Sequence, residues 1–160
     1  MEVNLTGGSR ANKNGYDAEE SVALIFENLG AKYQRQAPFR KAYGPRDGKS
    51  DGVAHFSKDR KIRIEVKTQK VSGSVSEKMP NMLFHAYNHY EETEIIFVIL
   101  GDGWSKGSIE WFRKMCNPRN WSSYCQHQSV PPKWSDKEIK VFTSYVELKN
   151  YIGELNEKLR

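Results

Sequence analysis

Polar and apolar residues alternate across Ile62-Arg63-Ile64-Glu65-Val66-Lys67. A strand there puts Ile62, Ile64 and Val66 on one face and Arg63, Glu65 and Lys67 on the other. The first face reads as core and the second as lying away from it. Gly52-Val53-Ala54-His55-Phe56 is a second strand-like run, opened by Asp51, and the polar Lys58-Asp59-Arg60 turn joins the two into a hairpin. Upstream, Ala18, Val22, Ile25 and Leu29 recur at helical spacing. Asp17 is the expected N-cap, Glu20 completes a capping box and Gly30 ends the helix. Ala31 to Phe39 predicts a first strand. Ser76 is expected to cap a helix running through His89, with Pro80 tolerated in its first turn. Thr93 to Leu100 predicts a strand covered on both faces, because its second half is apolar throughout. A short helix from Ser108 to Met115, an irregular segment over 117–136 and a strand from Ile139 to Phe142 follow. The last helix is capped by Ser144, with Val146, Leu148, Tyr151, Ile152 and Leu155 on its expected buried side. The order predicts an α/β (α+β) fold, a mixed sheet with helices on both faces.

A chain of 160 residues has room for one core, so 1–160 is expected to be a single domain. Residues 1–14, polar and rich in Gly, Asn and Lys, are expected to be flexible. Aromatic residues at 12% argue against general disorder. Lys and Arg number 25 against 20 Asp and Glu, a net charge of +5 that favours a polyanionic partner without identifying one. The longest apolar run, Ile95 to Leu100, is far too short to span a membrane. No signal peptide is legible, and the two cysteines fit free thiols in a reducing cytoplasm.

The hairpin changes this picture most, because it brings Asp51 toward the far end of the second strand, beside Glu65 and Lys67. Two carboxylates and an ammonium at one point can hold a hard divalent cation with a charged helper. The bland alternative is a solvated strand face with Asp51 in a turn. It explains less well why Lys67 leads into a Gly/Ser loop carrying more lysine. Asp47 rivals Asp51 as the first ligand, but its Asp-Gly context reads as a turn.

Together, Gly15-x-x-x-Glu19 on the first helix, Ser50-Asp51 on the second strand, Glu65-Val66-Lys67 on the third and the Lys70-x-Ser72-Gly73-Ser74-x-x-Glu77-Lys78 loop into the next helix resemble the PD-(D/E)XK nuclease superfamily. Within it, they are most similar to type II restriction endonucleases. The resemblance covers roughly residues 15 to 100, with Ser50 standing where the motif has proline. It implies a restriction-endonuclease-like αβββαβ core. It also implies Mg²⁺, with Mn²⁺ as a substitute, held by Asp51, Glu65 and the Val66 backbone carbonyl. Glu19 would hold a second metal or its water, or orient Lys67. Lys67 would position the attacking water and stabilise the phosphorane charge. Double-stranded DNA is the implied substrate, cut to 5′-phosphate and 3′-hydroxyl ends. One active site per chain implies a homodimer, or a heterodimer with a larger recognition subunit. A structure-selective nuclease and a non-catalytic DNA-binding module of the same fold are the rival readings.

Gln69, two beyond Lys67 on the same strand face, is a candidate phosphate contact. Lys70, Ser72, Ser74 and Lys78 are candidates for the DNA backbone. Arg35, Arg40, Lys41 and Arg46 form a basic stretch before Asp51, a candidate DNA-facing edge in which Arg40, Lys41 and Arg46 are expected to contact DNA. His85 and His89 have a spacing that binds zinc, and Cys116, Cys125 and His127 could form part of a knuckle, but neither set is complete and no structural zinc is expected. Trp104, Trp111, Trp121, Tyr124 and Trp134 are expected mostly to pack the long segment.

Overall fold

The computed structural model describes residues 7–57, 59–73 and 77–158, with side chains from Gly15 onward. Among these residues the order is α1 (Gly7–Asn28), β1 (Lys32–Phe39), β2 (Gly48–His55), β3 (Lys61–Thr68), α2 (Met79–Asn88), β4 (Glu94–Leu100), α3 (Ser108–Met115), α4 (Pro118–Tyr124), α5 (Pro132–Ser135), β5 (Glu138–Phe142) and α6 (Tyr145–Lys158). The strands form one sheet in the order β1-β2-β3-β4-β5. β1, β2 and β3 pair antiparallel, while β3, β4 and β5 pair parallel. The parallel joins need long crossovers, and the helices α2 to α5 supply them. The predicted mixed sheet with helices on both faces is the observed architecture. No helix among the described residues is long and apolar enough to cross a membrane.

The sheet separates two cores. On one side α1 and α6 pack Val22, Phe26, Leu148 and Ile152 against Ile62, Ile64, Ile96 and Val98. On the other, Leu83, Tyr87, Phe112, Trp121 and Trp134 cover Ile95, Phe97 and Ile99. β4 alternates into both, as its unbroken apolar run predicts. The second core corrects the reading of β3. Arg63 and Glu65, expected on a face away from the core, are only 5% and 9% exposed. The Arg63 guanidinium lies over the rings of Phe39 and Tyr90. It also pairs with Glu92 at 2.7 Å.

Several element ends differ from the sequence reading. α1 begins before Asp17, so Asp17 is no N-cap and residues 7–14 are helical rather than loose. That first stretch is polar all round and gives no apolar period to detect. Glu20 instead pairs with Arg35 at 2.8 Å. α2 starts at Met79 with no side-chain cap, and Ser76 lies outside the described residues. Segment 117–136 holds two helices; Asn117 caps the first, accepting the Arg119 and Asn120 amides, and Pro118 and Pro132 open each. Val146 is exposed, although Leu148, Ile152 and Leu155 are buried as expected. Ser144 does cap α6, accepting the Glu147 N–H at 3.2 Å.

Candidate active site

The site is built at a break in the β1–β2 hairpin. Gly52 lies under the Tyr33 ring, in the core beneath α1, whereas Gly48 lies under the Phe39 ring, in the opposite core. Residues four apart on an unbroken strand share a face, so the hairpin reverses its faces between them. The reversal falls at Gln36, whose φ of +52° is left-handed. Gln36 stands between the Arg35–Gly52 and Ala37–Ser50 pairs, and so opposite Asp51. The β2–β3 ladder also ends here, with Gly52 opposite Ile64, although both strands continue. Asp51 is therefore the first residue beyond the ladder.

Side chains take over where the ladder stops. The Asp51 Oδ2 accepts the Val66 N–H at 2.6 Å, an amide that a continued ladder would give to the Ser50 carbonyl. The Glu65 carboxylate in turn accepts the Asp51 N–H. The Val66 carbonyl points to the same strand edge as its N–H, the edge that β2 has vacated. Lys67 Nζ lies 2.9 Å from Glu65 Oε1, and the Tyr90 hydroxyl donates to Glu65 Oε2 at 3.4 Å. Glu19 reaches from α1 close enough that, beyond burial, its charge raises the Asp51 pKa, while its Oε2 accepts the Gln36 amide at 3.3 Å. The fold thus brings together Glu19, Asp51, Glu65 and Lys67.

Burial, reinforced by the neighbouring carboxylates, pushes Asp51 and Glu65 each up to about 7. Burial works against the Lys67 charge, but Glu65, Asp51 and Glu19 outweigh it and its pKa is raised. Three carboxylates face one ammonium, an imbalance that a divalent cation would relieve. No group of three or more His, Cys, Asp or Glu side chains among the described residues is placed to hold a metal ion. Asp51 and Glu65 with the Val66 carbonyl instead fit a hard cation that keeps several of its waters, as Mg²⁺ prefers.

The remaining expected site residues divide. Lys41 and Lys78 line an open cleft of about 300 Å³ beside Glu65 and Lys67, together with Lys49 and His85. Lys70 lines a different opening, with Asp17, Ser21, Thr68 and Tyr145. Arg40, Arg46 and Ser72 are exposed, and Ser74 lies outside the described residues. Gln69 corrects its expected role: it is 6% exposed, and its amide donates to the Gly103 carbonyl at 2.6 Å, tying two loops together instead of facing a phosphate. Asp47 is exposed and directly precedes β2. Arg35 is held by Glu20 and Glu27. His85 and His89 meet at Nδ1–Nδ1 2.8 Å, and Cys116 and Cys125 are free thiols. The sequence reading missed Tyr33, Gln36, Lys49 and Tyr90. Gly52 and Lys49, both flanking Ser50-Asp51, were the available signals.

The Acinetobacter baumannii Cap4 SAVED/CARF-domain containing receptor, solved with the cyclic trinucleotide 3'3'3'-cAAA, overlays with a TM-score of 0.39 and 11% identity over 97% of this chain and 35% of that one. The chain spans about a third of that receptor's length, and a likeness this loose supports no conclusion. No curated protein matches the chain. The family model described as the PD-(D/E)XK nuclease superfamily domain matches residues 10–147, a stretch that contains Glu19, Asp51, Glu65 and Lys67, and the chain belongs to that superfamily.

Proposed function

We propose that this chain is a Mg²⁺-dependent DNA endonuclease of the type II restriction kind. The observation that carries the reading is the exchange between Asp51 and Glu65, which turns two carboxylates to one strand edge beside the protonated Lys67. Asp51, Glu65 and the Val66 carbonyl would hold the cation, Mg²⁺ or Mn²⁺, with Glu19 on its water or on a second ion. When bound, the cation offsets phosphate charge and lowers the pKa of water. Lys67 keeps its proton and offers an ammonium to the attacking water and to charge developing on phosphorus. Lys41, Lys49 and Lys78 give the adjoining cleft a cationic wall for the phosphate backbone. One such site per domain cuts one strand, so a double-strand break requires a homodimer or a partner subunit that reads sequence.

Supercoiled plasmid incubated with the pure protein and Mg²⁺ tests this. Nicked or linear product with 5′-phosphate ends, absent with Asp51→Asn, supports the reading. Calcium should support binding without turnover, because it fits the oxygen ligands but activates water less well. Plasmid left intact in both Mg²⁺ and Mn²⁺ across a wide protein range counts against it, as does equal cutting by Asp51→Asn.

A further inference from the structure

The Tyr33 hydroxyl is buried and has no hydrogen-bond partner within the protein. The residue is only 8% exposed, so solvent does not satisfy it from outside. An orphaned buried hydroxyl is a net cost to the fold, and phenylalanine would fill the same space without that cost. Gly52 adds a second observation. Its φ is not positive, so it is not glycine for backbone reasons. A Cβ there would come within 2.2 Å of the Tyr33 hydroxyl and ring carbon. The residue next to Asp51 therefore lacks a side chain in order to admit this phenol. Beyond burial, Asp51 and then Glu65 are the strongest influences raising the Tyr33 pKa. The phenol keeps its proton and stands over Gly52, the residue that follows Asp51.

We infer that the Tyr33 hydroxyl donates a hydrogen bond to a water molecule held at Asp51, and is a positioning residue for the water of the reaction. This rests on the nuclease reading above. The hydroxyl neither gives up its proton nor bonds to phosphorus; it fixes where one water sits. The buried donor is then left without a protein partner because its partner is solvent that enters with the cation.

Tyr33→Phe removes only the hydroxyl, and three readouts decide. The melting temperature without metal should be equal to or above wild type, because an unsatisfied polar group is gone. The rate constant of a single turnover on DNA should fall by roughly 10- to 100-fold with KM unchanged, the signature of a contact that matters only in the transition state. Mn²⁺ affinity, followed by water-proton relaxation, should weaken several-fold. A higher melting temperature with unchanged turnover and unchanged Mn²⁺ affinity would overturn the inference and reduce Tyr33 to packing. If the wild type cleaves nothing, the nuclease reading fails, and the Mn²⁺ comparison alone decides Tyr33: weaker binding keeps it, equal binding removes it.

Discussion

The Asp51 carboxylate accepts the backbone N–H of Val66 at 2.6 Å, one residue from the Glu65 that accepts the Asp51 N–H. The contacts replace a strand ladder with two buried anions, which the fold tolerates at a cost in stability. Glu65→Gln keeps an acceptor for the Asp51 N–H and the Tyr90 hydroxyl but removes the charge. It should cut DNA cleavage by roughly 10³-fold or more, since the donor set loses a carboxylate. Its melting temperature at neutral pH should exceed that of the metal-free wild type. A lower melting temperature would mean that the Glu65 charge stabilises this fold.

The same two carboxylates predict how Mg²⁺ and pH interact. Their folded pKa values, about 7, lie above their unfolded ones. The folded state thus binds protons more tightly, and stability falls as pH rises from the unfolded values near 4 through 7. Mg²⁺ must displace those protons at low pH, but meets two bare anions above 7. The rise in melting temperature caused by Mg²⁺ should therefore be small at about pH 5 and large at about pH 8. Cleavage should rise with pH through the same window. A Mg²⁺ effect independent of pH would place the cation elsewhere.

Lys67 separates metal binding from chemistry. Its ammonium is 2.9 Å from Glu65 Oε1, and its pKa is raised despite burial. Lys67→Met should lower the single-turnover rate constant by roughly 10²-fold or more, as for loss of one preorganised electrostatic group. Mn²⁺ affinity should not fall, because a competing cation has left the carboxylates. A parallel loss of metal affinity would make Lys67 a structural partner of Glu65 only.

How far the sequence reaches follows from these residues. The alternation through β3 and the apolar run of β4 identify the sheet, because period-two patterning survives in any context. The Asp51–Glu65–Lys67 meeting was legible because a hairpin fixes which residues come together. The placement of Arg63 and Glu65 on a face away from the core failed for a different reason. A charged residue looks exposed in sequence, and nothing local reveals that Glu92, twenty-nine positions away, neutralises Arg63 beneath a second core. The face reversal at Gln36 was invisible too, since left-handed backbone is unusual outside glycine and carries no pattern. Gln69 misled because strand parity gave its direction but not the Gly101–Gly103 loop that covers it.

Arg63 offers a stability prediction. Its guanidinium holds Glu92 at 2.7 and 3.0 Å, the Ala37 and Pro38 carbonyls at 3.2 Å and the Ser50 hydroxyl at 2.9 Å. Glu92 is half-buried, and Arg63 holds its pKa down against the opposing effect of burial. Glu92→Ala leaves a buried cation without its anion and should cost about 3–5 kcal/mol in denaturant unfolding. Arg63 holds Ala37 and Ser50, the pair next to the Gln36–Asp51 break, so cleavage at saturating Mg²⁺ should fall as well. A loss under about 1 kcal/mol would show that the carbonyls alone satisfy the guanidinium.

The histidine pair sets an opposing pH dependence. His89 Nε2 accepts the Ala42 N–H at 3.1 Å, so the His89 proton is on Nδ1 and is donated to His85 Nδ1. Protonating His85 places a second hydrogen in that 2.8 Å contact. Burial, His89 and Lys41 lower the His85 pKa to about 4; burial, Lys133 and Lys41 lower that of His89. With folded values below the unfolded value near 6.5, the pair's contribution is complete above 6.5 and is lost as pH falls toward 4. Asp51 and Glu65 push stability the other way over much of that range, so the wild-type slope mixes the two. The Glu65→Gln background removes one carboxylate and should reveal a steeper loss of melting temperature between about pH 6.5 and 4.5. Adding His85→Gln should flatten that loss, because Gln has no proton to gain while its amide can still accept from His89. A slope unchanged by His85→Gln would mean that the two rings do not share a proton.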